Sequence, residues 1–297
     1  MEIREVGVIG CGLMGSGIAQ TVATAGIPTN VVEVSQELCD RGMAGIEKQL
    51  NRQVQKGTLK AEECAAIRSR LHPTTDRSQL ANCDLVIEAV IENLEEKKKL
   101  WQSLDPILPK HAILGSNTSS LSITEMMRYT SRPERFLGVH FMNPVPVMKL
   151  VEVIRTVATD KEVFETTLQF IGKLGKTPVR TSDRPGFIVN RLLIPYLLDA
   201  MRALEQGTGS ITDLDRAMQL GCGHPMGPFT LADFIGLDTT YYIANILFEE
   251  FREPRFAPPG LLKRLVLAGW HGRKTGKGFY DYSDPGAPKA QEHIYQI

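Results

Sequence analysis

Cysteine is scarce. The 297 residues hold five, Cys11, Cys39, Cys64, Cys83 and Cys222, with no Cys-x-x-Cys pair among them. An odd, widely spaced set argues against a disulfide framework and for a reducing compartment. Neither sign of charge dominates, with 34 Lys and Arg against 34 Asp and Glu. The overall balance therefore gives no attraction for nucleic acid or an anionic membrane, and any anionic ligand must be held by local groups. The histidines lack metal-ligand spacing: His140, His224 and His271 lie far apart, with no second His or Cys three or four residues away. No apolar run approaches the length of a membrane span, and the chain does not open on a basic, apolar leader. A soluble, cytoplasmic protein without metal is the expectation.

What the sequence does have is a change of period near its middle. Its length suits two domains. Short apolar runs at 6–9, 30–34, 85–87, 113–116, 136–140, 150–154 and 177–179 alternate with helical stretches at 13–25, 38–56, 61–69, 94–104 and 161–174. Such alternation predicts an α/β domain, a mostly parallel sheet with helices on both faces. After Asp183-Arg184-Pro185-Gly186 the pattern is helical only, over 187–206, 211–220, 231–251 and 260–268. Those turn-forming residues mark the expected boundary between a first domain at 1–184 and an all-α C-terminal domain at 185–297.

The first run empties into Gly10-Cys11-Gly12-Leu13-Met14-Gly15. A G-x-G-x-x-G between a strand and a helix is the dinucleotide-binding signature of a Rossmann-type domain. Gly10 permits the tight turn, Gly12 lets a pyrophosphate approach the backbone, and Gly15 lets helix and strand pack closely. Glu33, ending the second run, is placed to accept from a ribose 2′-hydroxyl and to repel a 2′-phosphate. The expected cofactor is NAD rather than NADP.

Chemistry needs a proton acceptor beside that cofactor. His140 ends an apolar strand and precedes the turn Met142-Asn143-Pro144-Val145-Pro146, where an imidazole serves either proton transfer or structure. Glu152 interrupts the apolar run 150–154. It is either paired, most simply with an imidazole, or on the solvent face of an edge strand. Asn190 is an amide on an apolar helix of the second domain, facing a cleft or capping something structural. Pro195 is expected to kink that helix.

Five segments stand out in order: Gly7-Val8-Ile9-Gly10-Cys11-Gly12-Leu13-Met14-Gly15, Ile87-Glu88-Ala89-Val90-Ile91-Glu92-Asn93-Leu94, Ser116-Asn117-Thr118-Ser119-Ser120-Leu121, His140-Phe141-Met142-Asn143-Pro144-Val145 and Pro185-Gly186-Phe187-Ile188-Val189-Asn190-Arg191. In this order they resemble the L-3-hydroxyacyl-CoA dehydrogenases, a family that includes bacterial 3-hydroxybutyryl-CoA dehydrogenases. The likeness continues through His224-Pro225-Met226-Gly227-Pro228-Phe229 and Lys274-Thr275-Gly276-Lys277-Gly278-Phe279-Tyr280 and covers essentially the whole chain.

The resemblance implies NAD-linked oxidation of the C3 hydroxyl of a 3-hydroxyacyl-CoA, with a short acyl chain such as 3-hydroxybutyryl expected. His140 matches the catalytic base and Glu152 the acid that orients it. Ser119 and Asn190 match residues that hydrogen-bond the reacting end of the substrate, and Lys56 a lysine facing the CoA moiety. Glu92 and Lys97 match residues on the nicotinamide side of the cofactor. Leu13, Met14, Asn117 and Asn143 complete the expected cofactor contacts. His224 departs from the tyrosine of many relatives. The apolar helices of the second domain and the resemblance together suggest a homodimer. Two other readings stay open: a dehydrogenase of a free hydroxy or sugar acid, and a non-catalytic, crystallin-like relative.

Overall fold

Two units make up the chain, Met1–Phe187 and Ile188–Ile297, in a computed structural model that describes residues 1–284 and 286–295. The first is built on an eight-stranded sheet in the order β3-β2-β1-β4-β5-β6-β7-β8. Its elements are β1 (Val6–Ile9), α1 (Leu13–Thr24), β2 (Thr29–Val32), α2 (Gln36–Gln55), α3 (Ala61–Ser69), β3 (Leu71–Thr74), β4 (Leu85–Glu88), α4 (Leu94–Leu104), β5 (Ile113–Ser116), α5 (Ile123–Met127), β6 (Phe136–Phe141), β7 (Leu150–Arg155), α6 (Lys161–Lys173) and β8 (Thr177–Ser182). The expected architecture is present. Strand pairs are parallel from β3 through β6; β7 then runs antiparallel to β6, and β8 parallel to β7.

The apolar runs are continuous because these strands are covered on both faces. Val6 and Val8 of β1 join Ile18 and Val22 of α1 on one face, while Ile9 joins Trp101 and Leu104 of α4 on the other. The strand order reverses beside β1, which has β2 on one side and β4 on the other. In sheets of this kind the crevice at that switch point, outside the carboxyl ends of the strands, is where ligands bind.

One strand was not expected. β3 reads Leu-His-Pro-Thr, without apolar alternation. It forms the sheet edge beside β2, a position that tolerates Pro73.

The second unit contains α7 (Val189–Glu205), α8 (Ile211–Cys222), α9 (Pro228–Ile235), α10 (Leu237–Phe251), α11 (Gly260–Leu267) and the short pair β9 (Tyr280–Asp281) and β10 (Lys289–Ala290). Its core gathers Leu197, Met201, Phe229, Leu247, Phe256 and Phe279. The expected single helix over 231–251 is two, broken at Gly236, whose φ of 103° lies outside the helical region. Helix α7 runs through Pro195 without ending there. It begins after Phe187, whose φ of 46° prevents the earlier start expected at that residue.

Candidate active site

The glycine-rich turn joins β1 to α1. Gly10 has φ 92°, and a Cβ there would stand 2.6 Å from the Ala89 carbonyl oxygen. At Gly15 a Cβ would overlap the carbonyl oxygen of Gly10. A Cβ on Gly12, by contrast, would meet nothing within 4 Å. Two of the glycines are thus required by the fold, and the third leaves open space. Helix α1 has no side-chain cap and no acid in its first turn, so its leading N–H groups and positive dipole end are available to an anion. Glu33 is tied to the same turn: its Oε1 accepts from the Cys11 amide (2.9 Å) and its Oε2 from the Val34 amide (2.7 Å). Leu13, Val34 and Ile91 are exposed apolar residues just beyond β1, β2 and β4, and Met14 packs into the core. An open glycine cradle at a bare helix terminus, with an acid pinned beside it, fits a dinucleotide. Cysteine chemistry does not belong to this turn, since burial pushes the Cys11 thiol up to about 12.

The ends of β4 and β5 carry a second cluster. Lys97 Nζ lies between Glu88 Oε1 (2.5 Å) and Glu92 Oε2 (3.3 Å). Glu92 Oε1 accepts from Thr118 Oγ1 (2.5 Å), the Ser119 amide (3.0 Å) and Ser120 Oγ (3.1 Å), with Ser119 Oγ at 3.4 Å. Burial by itself would raise the Glu92 carboxyl; Lys97 and these donors outweigh it and hold the group below its usual range. The loop after β4 is thereby fastened to the Asn117–Ser120 turn after β5.

His140 and Glu152 face each other across β6 and β7 in direct register. The Nδ1–H of His140 donates to Glu152 Oε2 at 2.7 Å, and the Glu152 side chain has no exposed surface. With Nδ1 engaged, Nε2 is the nitrogen left to exchange a proton. Asn117 Oδ1 accepts from the Phe141 amide (2.9 Å), holding the end of β6 to β5. The ring of Phe187 packs against the imidazole at 5.6 Å between centroids.

Ser119, Glu92 and Lys97 are thus brought together, and so are His140 and Glu152. Asn143 lies in the loop after β6, where its peptide bond to Pro144 is cis. Lys56 is elsewhere, exposed at the C-cap of α2. Asn190 lies in the first turn of α7, in the second unit. His224 pairs with the Tyr196 hydroxyl at 3.2 Å, also in that unit. Sequence reasoning had not singled out Glu88, Ser116, Phe187 or Lys176. Glu88 had a usable signal, an acid ending an apolar strand just as Glu33 does. Lys176, buried and donating to the carbonyls of Val145 (2.5 Å) and Met148 (2.8 Å), clamps the loop between β6 and β7.

Residues 5–184 match the 3-hydroxyacyl-CoA dehydrogenase NAD binding domain, and residues 186–282 the C-terminal domain of the same enzymes. The chain belongs to the 3-hydroxyacyl-CoA dehydrogenase family. The 3-hydroxybutyryl-CoA dehydrogenase of Bradyrhizobium diazoefficiens is 48% identical over 94% of this chain and 96% of its own. Among solved structures, Mycobacterium tuberculosis FadB2 superposes with a TM-score of 0.93 at 46% identity, over 95% of this chain and 100% of that one. The (S)-3-hydroxybutyryl-CoA dehydrogenase of Ralstonia eutropha gives 0.93 at 41% identity, over the same shares. As a member of this family the chain uses NAD, and the glycine turn and Glu33 lie within the matched NAD binding domain. No helix among the described residues is long and apolar enough to cross a membrane.

Proposed function

We propose that this dehydrogenase oxidises short-chain (S)-3-hydroxyacyl-CoA thioesters, with 3-hydroxybutyryl-CoA the type substrate and His140 the general base. The observation that carries the catalytic assignment is the buried 2.7 Å bond from His140 Nδ1 to Glu152. The short acyl chain is supported by the substrates named for relatives 48% and 44% identical to this chain.

Nε2 of His140 accepts the proton of the C3 hydroxyl, while Glu152 fixes the ring's tautomer and offsets the charge the ring gains. Bound NAD supplies the acceptor for the hydride leaving C3. Gly10, Gly12, Gly15 and the first turn of α1 hold its pyrophosphate, and Glu33 takes the adenosine ribose. Leu13, Met14, Glu92, Lys97, Asn117 and Asn143 complete the cofactor's surroundings. Ser119 and Asn190 hydrogen-bond the reacting end of the substrate.

The CoA moiety brings phosphates, which overall charge does not attract. Lys48, Arg52 and Lys56 recur at intervals of four and are all exposed, a basic stripe along α2 that suits them. This stripe favours a thioester over a free hydroxy acid. The presence of His140, Glu152, Ser119 and Asn190 speaks against a non-catalytic relative. The protein further acts as a homodimer, a reading supported by exposed Leu192, Leu220 and Leu267 on helices of the second unit. Five thiols without a disulfide suit the reducing cytoplasm.

The test follows NADH absorbance with acetoacetyl-CoA, longer 3-ketoacyl-CoAs and free acetoacetate. The expected order of kcat/KM is acetoacetyl-CoA first and free acid last. Equal or better turnover of the free acid would sink the thioester reading, and a preference for long chains would sink the short-chain one.

A further inference from the structure

Lys176 is a buried cation that the proposed chemistry does not use. It is 9% exposed, and among the described residues no carboxylate pairs with it. Its Nζ donates instead to two backbone carbonyls, those of Val145 (2.5 Å) and Met148 (2.8 Å). Burial without an opposing charge holds the ammonium below its ordinary range. This is a poor way to gain stability. An ammonium without a counter-charge is costly to bury, and the carbonyls of a loop are commonly left to water. What the lysine does fix is the position of one turn.

That turn, 143–148, begins three residues after His140. The Pro144 carbonyl accepts from the Val147 amide (3.0 Å) and the Met148 amide (2.9 Å), which closes the turn on itself. On one side it meets the cofactor helix: Val145 is 2% exposed, and a Cβ on Gly17 of α1 would stand 2.9 Å from the Val145 Cβ. On the other side it meets the β7–β8 pair. Lys176 directly precedes β8, where the Thr177 amide donates to the Lys149 carbonyl (2.7 Å) and Thr177 is the register partner of Leu150. The turn is thus held between α1 and the strand pair that includes β7, the strand of Glu152.

Glu33 follows β2, the glycine turn follows β1, and His140 lies near the end of β6, so the sheet order runs from the adenosine side to the base. The nicotinamide must lie at the His140 end for hydride and proton to leave one carbon centre, beside the turn that carries Asn143. We infer that Lys176 is a positioning residue for hydride transfer: by gripping the Val145 and Met148 carbonyls it holds the turn, and Asn143 with it, where the nicotinamide half of NAD meets His140. This rests on the cofactor placement and the base proposed above.

The experiment compares NADH with ADP-ribose, which carries the adenosine and pyrophosphate but no nicotinamide, by calorimetric titration into the wild type and Lys176→Met. Methionine keeps most of the side chain's length and loses its donors. In the variant the Kd for NADH should rise by roughly three- to tenfold, the worth of one misplaced hydrogen bond, while that for ADP-ribose stays put. The kcat for acetoacetyl-CoA should fall by roughly tenfold to a hundredfold, as for a misaligned reacting pair, with KM little changed. An unchanged Kd for NADH, equal weakening of both nucleotides or a wild-type kcat overturns the inference; a lysine that only supported the fold would weaken both alike. A wild type that binds no ADP-ribose overturns the cofactor placement instead, a separate result. Should Lys176→Met fail to fold, Gly17→Ala presses on the same turn from the other side and leaves the ammonium in place. Helix α1 is fixed in the core through Ile18 and Val22, so the turn is the part that gives. Gly17→Ala must separate NADH from ADP-ribose in the same way, and any other pattern there is equally fatal.

Discussion

The carboxylate of Glu152 reaches the Nδ1 of His140 because the two residues are direct register partners, one on β6 and one on β7. Directly opposed residues of an antiparallel pair point to the same face, so the backbone itself sets the contact. His140→Ala should lower turnover of acetoacetyl-CoA by roughly a hundred- to ten-thousand-fold while NADH still binds. Glu152→Gln keeps an acceptor for Nδ1 but loses the charge, and should cost on the order of a hundredfold in kcat with little change in KM. Steady-state kinetics with a parallel NADH titration checks both, and near-normal turnover in His140→Ala would end the proposed mechanism.

Gly12 and Gly15 lie in the same turn but should respond in opposite ways to a methyl group. A Cβ at Gly12 has open space within 4 Å, so Gly12→Ala should fold with an unchanged melting temperature and lose NADH affinity by tenfold or more, on the order of one blocked phosphate approach. At Gly15 the Cβ would strike the Gly10 carbonyl. Gly15→Ala should therefore lower the melting temperature as well, by several degrees for a cost of about 1–3 kcal/mol. Thermal melts with and without NADH separate the two. Equal affinity in Gly12→Ala and wild type would mean the open space is not where the pyrophosphate sits.

Asn190→Ala tests the substrate contact proposed for the second unit. The rate should fall strongly, by roughly tenfold or more, without loss of the melting transition. An unchanged kcat/KM moves Asn190 to a structural role.

How much of this was legible in the sequence depended on whether the signal was local. The β1 turn and α1 were readable because the glycine spacing encodes the turn itself. His140 and Glu152 could be nominated individually, but the sequence left open whether Glu152 met the ring or solvent. That is a question of strand pairing, which residues twelve apart do not declare. β3 escaped notice because its edge position relaxes the apolar alternation on which strands are recognised. The break at Gly236 was hidden inside a continuous helical period, since a glycine in such a run signals a break only through its backbone angles. Glu88 and Lys97 went unpaired for the same reason as the catalytic dyad: a loop separates them, and only its folding brings the charges to 2.5 Å.

Glu33 supplies a test of cofactor choice. Its carboxylate is fixed by the Cys11 and Val34 amides at 2.9 and 2.7 Å, so it cannot easily swing away from a 2′-phosphate. Glu33→Ala should weaken NADH more than NADPH, shrinking the preference between them by about tenfold, the worth of one charge-assisted contact. Titration of both nucleotides reads this directly. Parallel loss for both would assign Glu33 to the turn's structure alone.

Asp233 gives the helical unit a pH dependence of known sign. It accepts from the Phe279 amide (3.0 Å), the Tyr280 amide (2.9 Å) and the Tyr282 hydroxyl (3.1 Å), stitching the segment after α11 to α9. Burial outweighs these donors, and with nearby Asp215 it pushes the carboxyl from 3.8 to about 6. A carboxyl raised in the folded state binds its proton more tightly there than in the unfolded chain. Its contribution to stability is therefore complete below pH 3.8 and is lost as the pH climbs through about 6. The amount at stake is about 3 kcal/mol, by order of magnitude. Asp233→Asn cannot titrate, and its amide meets the Tyr280 N–H with a donor, so it should be less stable than the wild type at every pH. That deficit should be largest near pH 4 and should shrink by pH 7, because only the wild type loses stability over the interval. Urea unfolding of both proteins at the two pH values measures the difference, and a deficit that stays constant or grows with pH would show that Asp233 does not hold its proton in the fold.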